Sequence, residues 1–96
     1  MRTAINHNNA DMARALLGSG ADANRSNRYG ETMLHIAVNL GRAEISKILL
    51  EHGADVHSKN NHGKTPLQSA IVYGNTEIAK LLIEHGADGP ATAHAN

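Results

Sequence analysis

The side chains best suited to chemistry in this chain are its histidines. The sequence of 96 residues contains seven histidines and no cysteine. His52 and His85 stand 33 positions apart, and His57 and His62 form a second pair. A zinc site needs three or four ligands in a compact tetrahedron, and neither pair provides a third ligand. We therefore predict no metal site and no cofactor.

Catalytic groups are equally scarce. The sequence has no cysteine nucleophile and no Gly-x-Ser-x-Gly elbow, and its glycines are spread along the chain instead of forming a phosphate-binding cluster. Asp22, Asp55 and Asp88 recur at a constant interval of 33 residues, which is typical of side chains that cap turns. We predict that the protein is not an enzyme.

Charge and hydropathy exclude two classes of partner. Nine Lys and Arg residues balance nine Asp and Glu residues, whereas nucleic-acid-binding domains normally carry a clustered basic surplus. No apolar stretch approaches the roughly 20 residues that span a bilayer, and the first residues lack the apolar core of a signal peptide. We expect neither nucleic-acid binding nor membrane insertion. The lack of cysteine fits an intracellular, cytoplasmic location.

The elements that position these side chains repeat every 33 residues. The shift aligns small and aliphatic residues in one register: Gly30 with Gly63, Thr32 with Thr65, Leu34 with Leu67, Ala37 with Ala70, Gly41 with Gly74, Ile45 with Ile78 and Leu49 with Leu82. Self-similarity at such a period indicates stacked copies of one supersecondary unit.

Each unit contains the signals of two short helices. Thr65 followed by Pro66 predicts a helix start, because Thr caps free N–H groups and Pro needs no donor at the first helical position. Thr32 keeps that cap in the preceding unit. We expect Gly41 to end the first helix with a positive φ, and Asn8 takes this place in the first unit.

The second helix of each unit should carry an apolar stripe, because its aliphatic residues follow the i, i+3, i+4 spacing of one helix face. The predicted stripes are Met12, Ala15 and Leu16 in the first unit, Ile45, Ile48 and Leu49 in the second, and Ile78, Leu81 and Leu82 in the third.

Three sequence strings resemble the ankyrin repeat, whose period is about 33 residues. They are Gly-Glu-Thr-Met-Leu-His-Ile-Ala at 30–37, Gly-Lys-Thr-Pro-Leu-Gln-Ser-Ala at 63–70 and Leu-Leu-Glu-His-Gly-Ala-Asp-Val at 49–56. The resemblance covers nearly the whole chain. It implies an all-α solenoid of about three stacked helix–loop–helix units joined by β-turn or hairpin loops.

The resemblance also predicts the organisation of the chain. We expect an ankyrin-repeat domain over 1–88, followed by a flexible C-terminal tail at 89–96. The domain divides into a partial repeat at 1–27, a full repeat at 28–60 and a further repeat at 61–88. The first unit lacks its opening turn, because Met1 aligns with Leu34.

The last unit differs from a normal capping repeat, which needs a polar outer face. Ile71, Leu81 and Ile83 are as apolar as their inner counterparts. We predict that this end of the stack is prone to association, so that it pairs with a second copy or belongs to a longer array.

Two roles follow from the resemblance for single residues. His35 occupies a position where the family's histidine stabilises the turn through hydrogen bonds, so we predict a structural role for it. Asn24 lies where some ankyrin proteins are hydroxylated on asparagine, although an unmodified turn residue is the favoured interpretation.

The resemblance implies binding of another protein through the turn tips and the exposed face of the first helices. We therefore expect the site at positions where the repeats disagree: Arg28, Tyr29, Glu31, Asn39, Leu40, Lys59, Asn61, His62, Lys64, Val72 and Tyr73. Both tyrosines of the chain are in this set, and Tyr is enriched at binding hot spots. Leu40, Val72 and Tyr73 should form a modest apolar patch. Its rim of Arg28, Lys59, Lys64 and Glu31 suggests a partner segment with apolar side chains and some acidic residues.

We predict that the protein is a non-catalytic interaction module, acting as an adaptor or an inhibitor. Two alternatives remain open at this point. The chain could be a structural spacer within a long solenoid, or a module that regulates an attached enzyme or channel.

Overall fold

Three pairs of short α-helices make up the part of the chain that the computed structural model describes, residues 2–86. The helices are α1 (Arg2–Asn6), α2 (Ala10–Gly18), α3 (Met33–Asn39), α4 (Ala43–Glu51), α5 (Pro66–Val72) and α6 (Thr76–Glu84). The predicted stack of helix–loop–helix units is confirmed. The repeat boundaries remain predictions, and the predicted tail at 89–96 lies outside the described residues.

Threonine caps begin the first helices of the second and third units. The Oγ1 atom of Thr32 accepts a hydrogen bond from the His35 N–H at 3.3 Å, and that of Thr65 accepts one from the Gln68 N–H at 3.2 Å. The side chains of His35 and Gln68 bond back to the threonine N–H groups, which completes a capping box in each unit. Pro66 occupies the first helical position, as predicted.

Left-handed residues end the first helices. Gly41 has a φ of 72° and Asn8 a φ of 53°, which confirms both predictions. The Gly41 N–H donates to the Val38 carbonyl at 3.0 Å, and the Arg42 N–H donates to the Ala37 carbonyl at 2.8 Å. This pair of bonds is the Schellman arrangement, in which the positive φ lets the chain reverse and satisfy the last carbonyl groups.

The core is aliphatic, and the predicted apolar stripes of α4 and α6 contribute to it. Of these stripe residues Leu81 is partly buried, and the following are buried: Ile45, Ile48, Leu49, Ile78 and Leu82.

The predicted stripe is wrong for α2. Met12 and Ala15 are exposed and Leu16 is only partly buried, whereas Ala13 and Leu17 are buried. The physical reason is the position of α2 in the stack. It packs against α1 and α4, and within residues 2–86 no helix pair covers its other side.

The units stack in a fixed register, with α1, α3 and α5 in one layer and α2, α4 and α6 in the other. Side chains at the start of the second helices hold this register. The Arg42 guanidinium donates to the carbonyls of Ile5 and Asn6 at 3.0 and 2.9 Å, and Asn75 Nδ2 donates to the Val38 carbonyl at 3.2 Å. The second and third units are therefore each bonded to the end of the first helix of the preceding unit.

Candidate interaction surface

Two hairpin turns project from the helix layers, and an asparagine shapes each of them. The Asn27 carbonyl accepts a hydrogen bond from the Gly30 N–H at 2.9 Å. Its Oδ1 atom accepts from the N–H groups of Tyr29 and Glu31 at 2.9 and 3.0 Å. Asn60 makes the same set of bonds in the second hairpin. The intervening residues are thereby held at the exposed hairpin tips.

Asn61 joins the two hairpins. Its backbone N–H donates to the Tyr29 carbonyl at 2.9 Å, and its Nδ2 atom donates to the Arg28 carbonyl at 2.9 Å. The backbones approach so closely that a Cβ atom on Gly30 would lie 2.6 Å from Asn61 Oδ1. The amide of Asn61, which the sequence predicted as a binding residue, is therefore engaged in the scaffold.

His35 has the predicted structural role. Its ring is fully buried, with Nδ1 3.2 Å from the Thr32 nitrogen and Nε2 2.8 Å from the Lys64 carbonyl oxygen. Because the Thr32 N–H donates to Nδ1, the proton lies on Nε2 and is donated to Lys64. The imidazole therefore links the start of α3 to the next hairpin.

The predicted turn-capping aspartates are confirmed where the structure describes them. Asp22 and Asp55 each accept a hydrogen bond at 2.8 Å, from the N–H groups of Asn24 and His57 respectively. Asn24 also bridges two repeats, since its Oδ1 accepts from the Asp55 N–H at 2.7 Å and its Nδ2 donates to the Gly53 carbonyl at 3.0 Å. The third aspartate of the series lies outside the described residues.

An open cleft lies between the hairpins and the ends of the first helices. It encloses about 200 Å³ and is lined by Glu31, Asn39, Asn60, Lys64, Ser69, Val72 and Tyr73. We call it the hairpin-side cleft. Five of its residues belong to the predicted binding set. Val72 and Tyr73 are its most exposed apolar groups, with 71% and 61% of their surface accessible.

The other predicted residues lie outside the cleft lining. Tyr29 is exposed at the first hairpin tip beside Arg28, and Leu40 is exposed at the end of α3, next to Asn39 of the cleft. Lys59 and His62, also in the predicted set, are exposed on the second hairpin. The structure therefore divides the predicted set between one cleft, the hairpin surfaces that flank it and the end of α3.

The sequence prediction missed Ser69 and Asn60. Ser69 replaces Ile36 of the preceding unit, so a closer comparison of the first helices could have found it. Asn60 has the same residue type as Asn27, its counterpart in the preceding unit. A comparison that selects positions where the repeats differ therefore assigns it to the shared fold.

A larger groove on the opposite layer was also missed. It encloses about 700 Å³ between α4 and α6, and its lining is mostly charged: Ala43, Glu44, Lys47, Glu77, Lys80, Leu81, Glu84 and His85. The charged residues of this groove recur in successive units and include both acidic and basic side chains, which is typical of a solvated helix face.

Charge is distributed unevenly over the two layers even though the whole chain is neutral. Helices α2, α4 and α6 carry five acidic residues and three basic ones, whereas α3 and α5 carry no charged residue. The hairpin segments add four basic residues and three acidic ones: Arg25, Arg28, Lys59 and Lys64 with Asp22, Glu31 and Asp55. The hairpin-side cleft therefore lies on the less acidic side of the molecule.

The fold agrees with the comparison to known families. The ankyrin-repeat family model matches residues 1–93 in three copies. The chain belongs to the ankyrin-repeat family. Repeats of this family are generally protein–protein interaction modules and are typically non-catalytic. A search of curated proteins gave no match.

Two further observations concern other kinds of site. Among residues 2–86, no three His, Asp or Glu side chains are grouped so that they could hold a metal ion. None of the helices in the described part of the chain has the length and apolarity to cross a membrane.

Proposed function

We propose that this chain binds a segment of another intracellular protein in the hairpin-side cleft, as an adaptor or an inhibitor. The observation that carries the proposal is the exposure of Val72 and Tyr73 beside that cleft. Removal of large apolar groups from water is favourable, and neighbouring exposed groups of this kind mark interaction sites.

The charges around the cleft favour a partner with acidic residues. Lys64 lines the cleft, and Arg28 and Lys59 extend the basic surface along the hairpins. Glu31 also lines the cleft and would repel a uniformly acidic segment. The best fit is a segment that places an apolar side chain against Val72 and Tyr73 and an acidic one near Lys64.

Asn39 gives independent support from the floor of the cleft. Its Oδ1 atom is buried and accepts no hydrogen bond from any residue in the described range. A buried polar atom without a partner costs about 1–3 kcal/mol of stability. A polar residue that weakens the fold at the cleft floor is consistent with a role in binding.

The test combines capture with site-specific cross-linking. A photo-reactive amino acid replaces Tyr73 in one version of the chain and Lys47, on the exposed side of α4, in the other. We expect a protein from the native lysate to cross-link at Tyr73 but not at Lys47. The Tyr29→Ser, Tyr73→Ser double variant should lose that partner, and the Lys47→Ser, Glu51→Ser control should keep it. Recovery of identical partners by both double variants would refute the assignment of the cleft.

The chemistry of the partner has a separate test. Short random peptides displayed on phage are selected against the chain and against its Lys64→Glu variant. We expect the chain to enrich peptides that combine apolar and acidic residues, and the variant to disfavour the acidic ones. Enrichment of the same peptides by both would mean that Lys64 does not contribute to recognition.

A structural role in a longer repeat array is the second candidate, and the exposed isoleucines Ile71 and Ile83 favour it. This alternative predicts that Tyr29, Leu40 and Tyr73 can all be replaced by Ser without loss of any partner. The capture experiment therefore distinguishes the two.

A further inference from the structure

The last unit of the described stack exposes apolar residues that are buried in the earlier units. Ile71 and Ile83 are 49% and 46% exposed. The residues at the same positions of the two earlier units are buried: Ile5 and Val38 for Ile71, Leu17 and Leu50 for Ile83. Both earlier units have a following unit packed on them. Ile71 also lines an open cleft of about 210 Å³ with Ala79. We call this surface, defined by Ile71, Ala79 and Ile83, the C-terminal face.

The first unit shows the complementary difference. Met12 is 40% exposed, whereas Ile45 and Ile78, at the same position in the second and third units, are buried. Those two units each pack on a preceding unit. We call the surface formed by Asn9, Asp11 and Met12 the N-terminal face.

The hydrogen-bonding groups of the two faces also match. Within the chain, Asn75 Nδ2 donates to the Val38 carbonyl of the preceding unit at 3.2 Å. Asn9 has the position of Asn75 in the first unit, and its Nδ2 atom donates to none of residues 2–86. Ile71 has the position of Val38 in the third unit. Asn9 Oδ1 accepts from the Met12 N–H at 3.0 Å, which leaves its Nδ2 atom to donate to the Ile71 carbonyl when Asn9 is placed against the C-terminal face.

An ion pair follows the same register. Arg14 Nη2 lies 3.4 Å from Glu44 Oε2, across the boundary between the first and second units. Lys80 has the position of Arg14 in the third unit, and Asp11 has the position of Glu44 in the first unit. The side chain of Asp11 is 97% exposed. The two faces thus carry opposite charges at the point where the boundary between the first and second units has its salt bridge, and Asp11 also pairs with Arg14 of its own helix at 3.3 Å.

We propose that the C-terminal face of one copy binds the N-terminal face of a second copy, in the register that the units use inside the chain. Apolar contact, a side-chain hydrogen bond and an ion pair would all be reproduced. Such a contact is head-to-tail and does not close on itself, so it builds open chains. Among the described residues of the first unit no hairpin precedes α1, so the contact made by Asn61 has no counterpart there. The interface formed by these residues is therefore smaller than an internal boundary, and association is weak.

Sedimentation equilibrium of the unmodified chain gives the first test. The weight-average mass should rise above the 10.2 kDa of the single chain between about 10 µM and 1 mM, the range of weak protein association. A constant mass over this range would overturn the proposal.

Mixing two variants tests the head-to-tail arrangement. Met12→Glu blocks the N-terminal face and Ile71→Glu blocks the C-terminal face. Each variant alone should stay monomeric, and an equimolar mixture should form a dimer that grows no further. If Met12→Glu alone still dimerises, two C-terminal faces are pairing and the proposal is wrong. Both positions are exposed, and circular dichroism verifies that the variants are folded.

Charge reversal provides a second, milder test on exposed residues. Lys80→Glu and Asp11→Lys should each weaken association about 2- to 5-fold, and mixing the two variants should restore it, because the reversed charges then face each other. Lys47→Glu changes the equivalent lysine of the middle unit and is the matched control, with no expected effect. An equal effect of Lys47→Glu and Lys80→Glu would refute the proposed register. None of these variants substitutes a residue of the hairpin-side cleft, so either proposal can fail without the other.

Discussion

Gly30 and Gly63 occupy the same position in successive hairpins, with nearly equal φ values of 74° and 73°. A Cβ atom on Gly63 would meet nothing within 4 Å, whereas one on Gly30 would lie 2.6 Å from Asn61 Oδ1 and 2.9 Å from the Asn61 nitrogen. A comparison of Gly30→Ala with Gly63→Ala therefore separates the cost of the left-handed backbone conformation from the cost of disturbing the contact between the hairpins.

The magnitudes follow from these two terms. The left-handed conformation costs an alanine about 1–2 kcal/mol, so Gly63→Ala should destabilise the fold by that amount. Gly30→Ala carries the same cost and also forces Asn61 away from its two hydrogen bonds, each worth about 1 kcal/mol. We expect Gly30→Ala to be the more destabilising substitution by about 2 kcal/mol.

The assay is equilibrium unfolding in urea, followed by far-ultraviolet circular dichroism. A difference in midpoint at equal slope reports the difference in stability. In an Asn61→Ala background the extra cost of Gly30→Ala should fall by about 1 kcal/mol, because the side-chain bond is already lost. Equal destabilisation by Gly30→Ala and Gly63→Ala would refute the idea that close hairpin approach stabilises this stack.

Three further predictions use the same unfolding assay. Asn39→Leu should raise the unfolding free energy by about 1 kcal/mol, because it removes a buried unpaired acceptor, and should weaken capture of the partner; unchanged stability would contradict this account. His35→Gln should retain the capping bonds but lose the Nε2 bond to Lys64, at a cost of about 1–2 kcal/mol; a neutral result would mean that this bond is dispensable. Arg14→Ala should cost less than about 0.5 kcal/mol, because its ion pairs are exposed; a larger loss would indicate a packing role.

Features that depend on a few adjacent residues could be predicted from the sequence. The capping role of Thr65 follows from a side chain that bonds three residues along the chain, and the positive φ of Asn8 follows from a steric rule for single residues. Neither depends on the rest of the fold. The 33-residue period then placed these local elements in a stack without any further information.

Features that depend on the approach of two units could not be predicted in this way. Asn61 differs from Arg28, its counterpart in the preceding unit, and this difference suggested binding. Its amide in fact bridges two hairpins, which becomes visible only when their backbones are in place. The wrong prediction at Met12 also concerns the approach of units, since a residue on an apolar stripe is buried only if another unit covers it.

The same reasoning explains which of the predicted binding residues remain available. Hydrogen bonds between repeats engage side chains such as Asn24, His35 and Asn61, so their replacement would change stability and recognition together. Val72 and Tyr73 are exposed, and the Tyr73 hydroxyl makes no hydrogen bond to any of residues 2–86. A surface substitution of this kind usually changes stability by less than about 0.5 kcal/mol. Any loss of binding in these variants can therefore be assigned to the surface itself, which makes them the decisive positions for the proposed function.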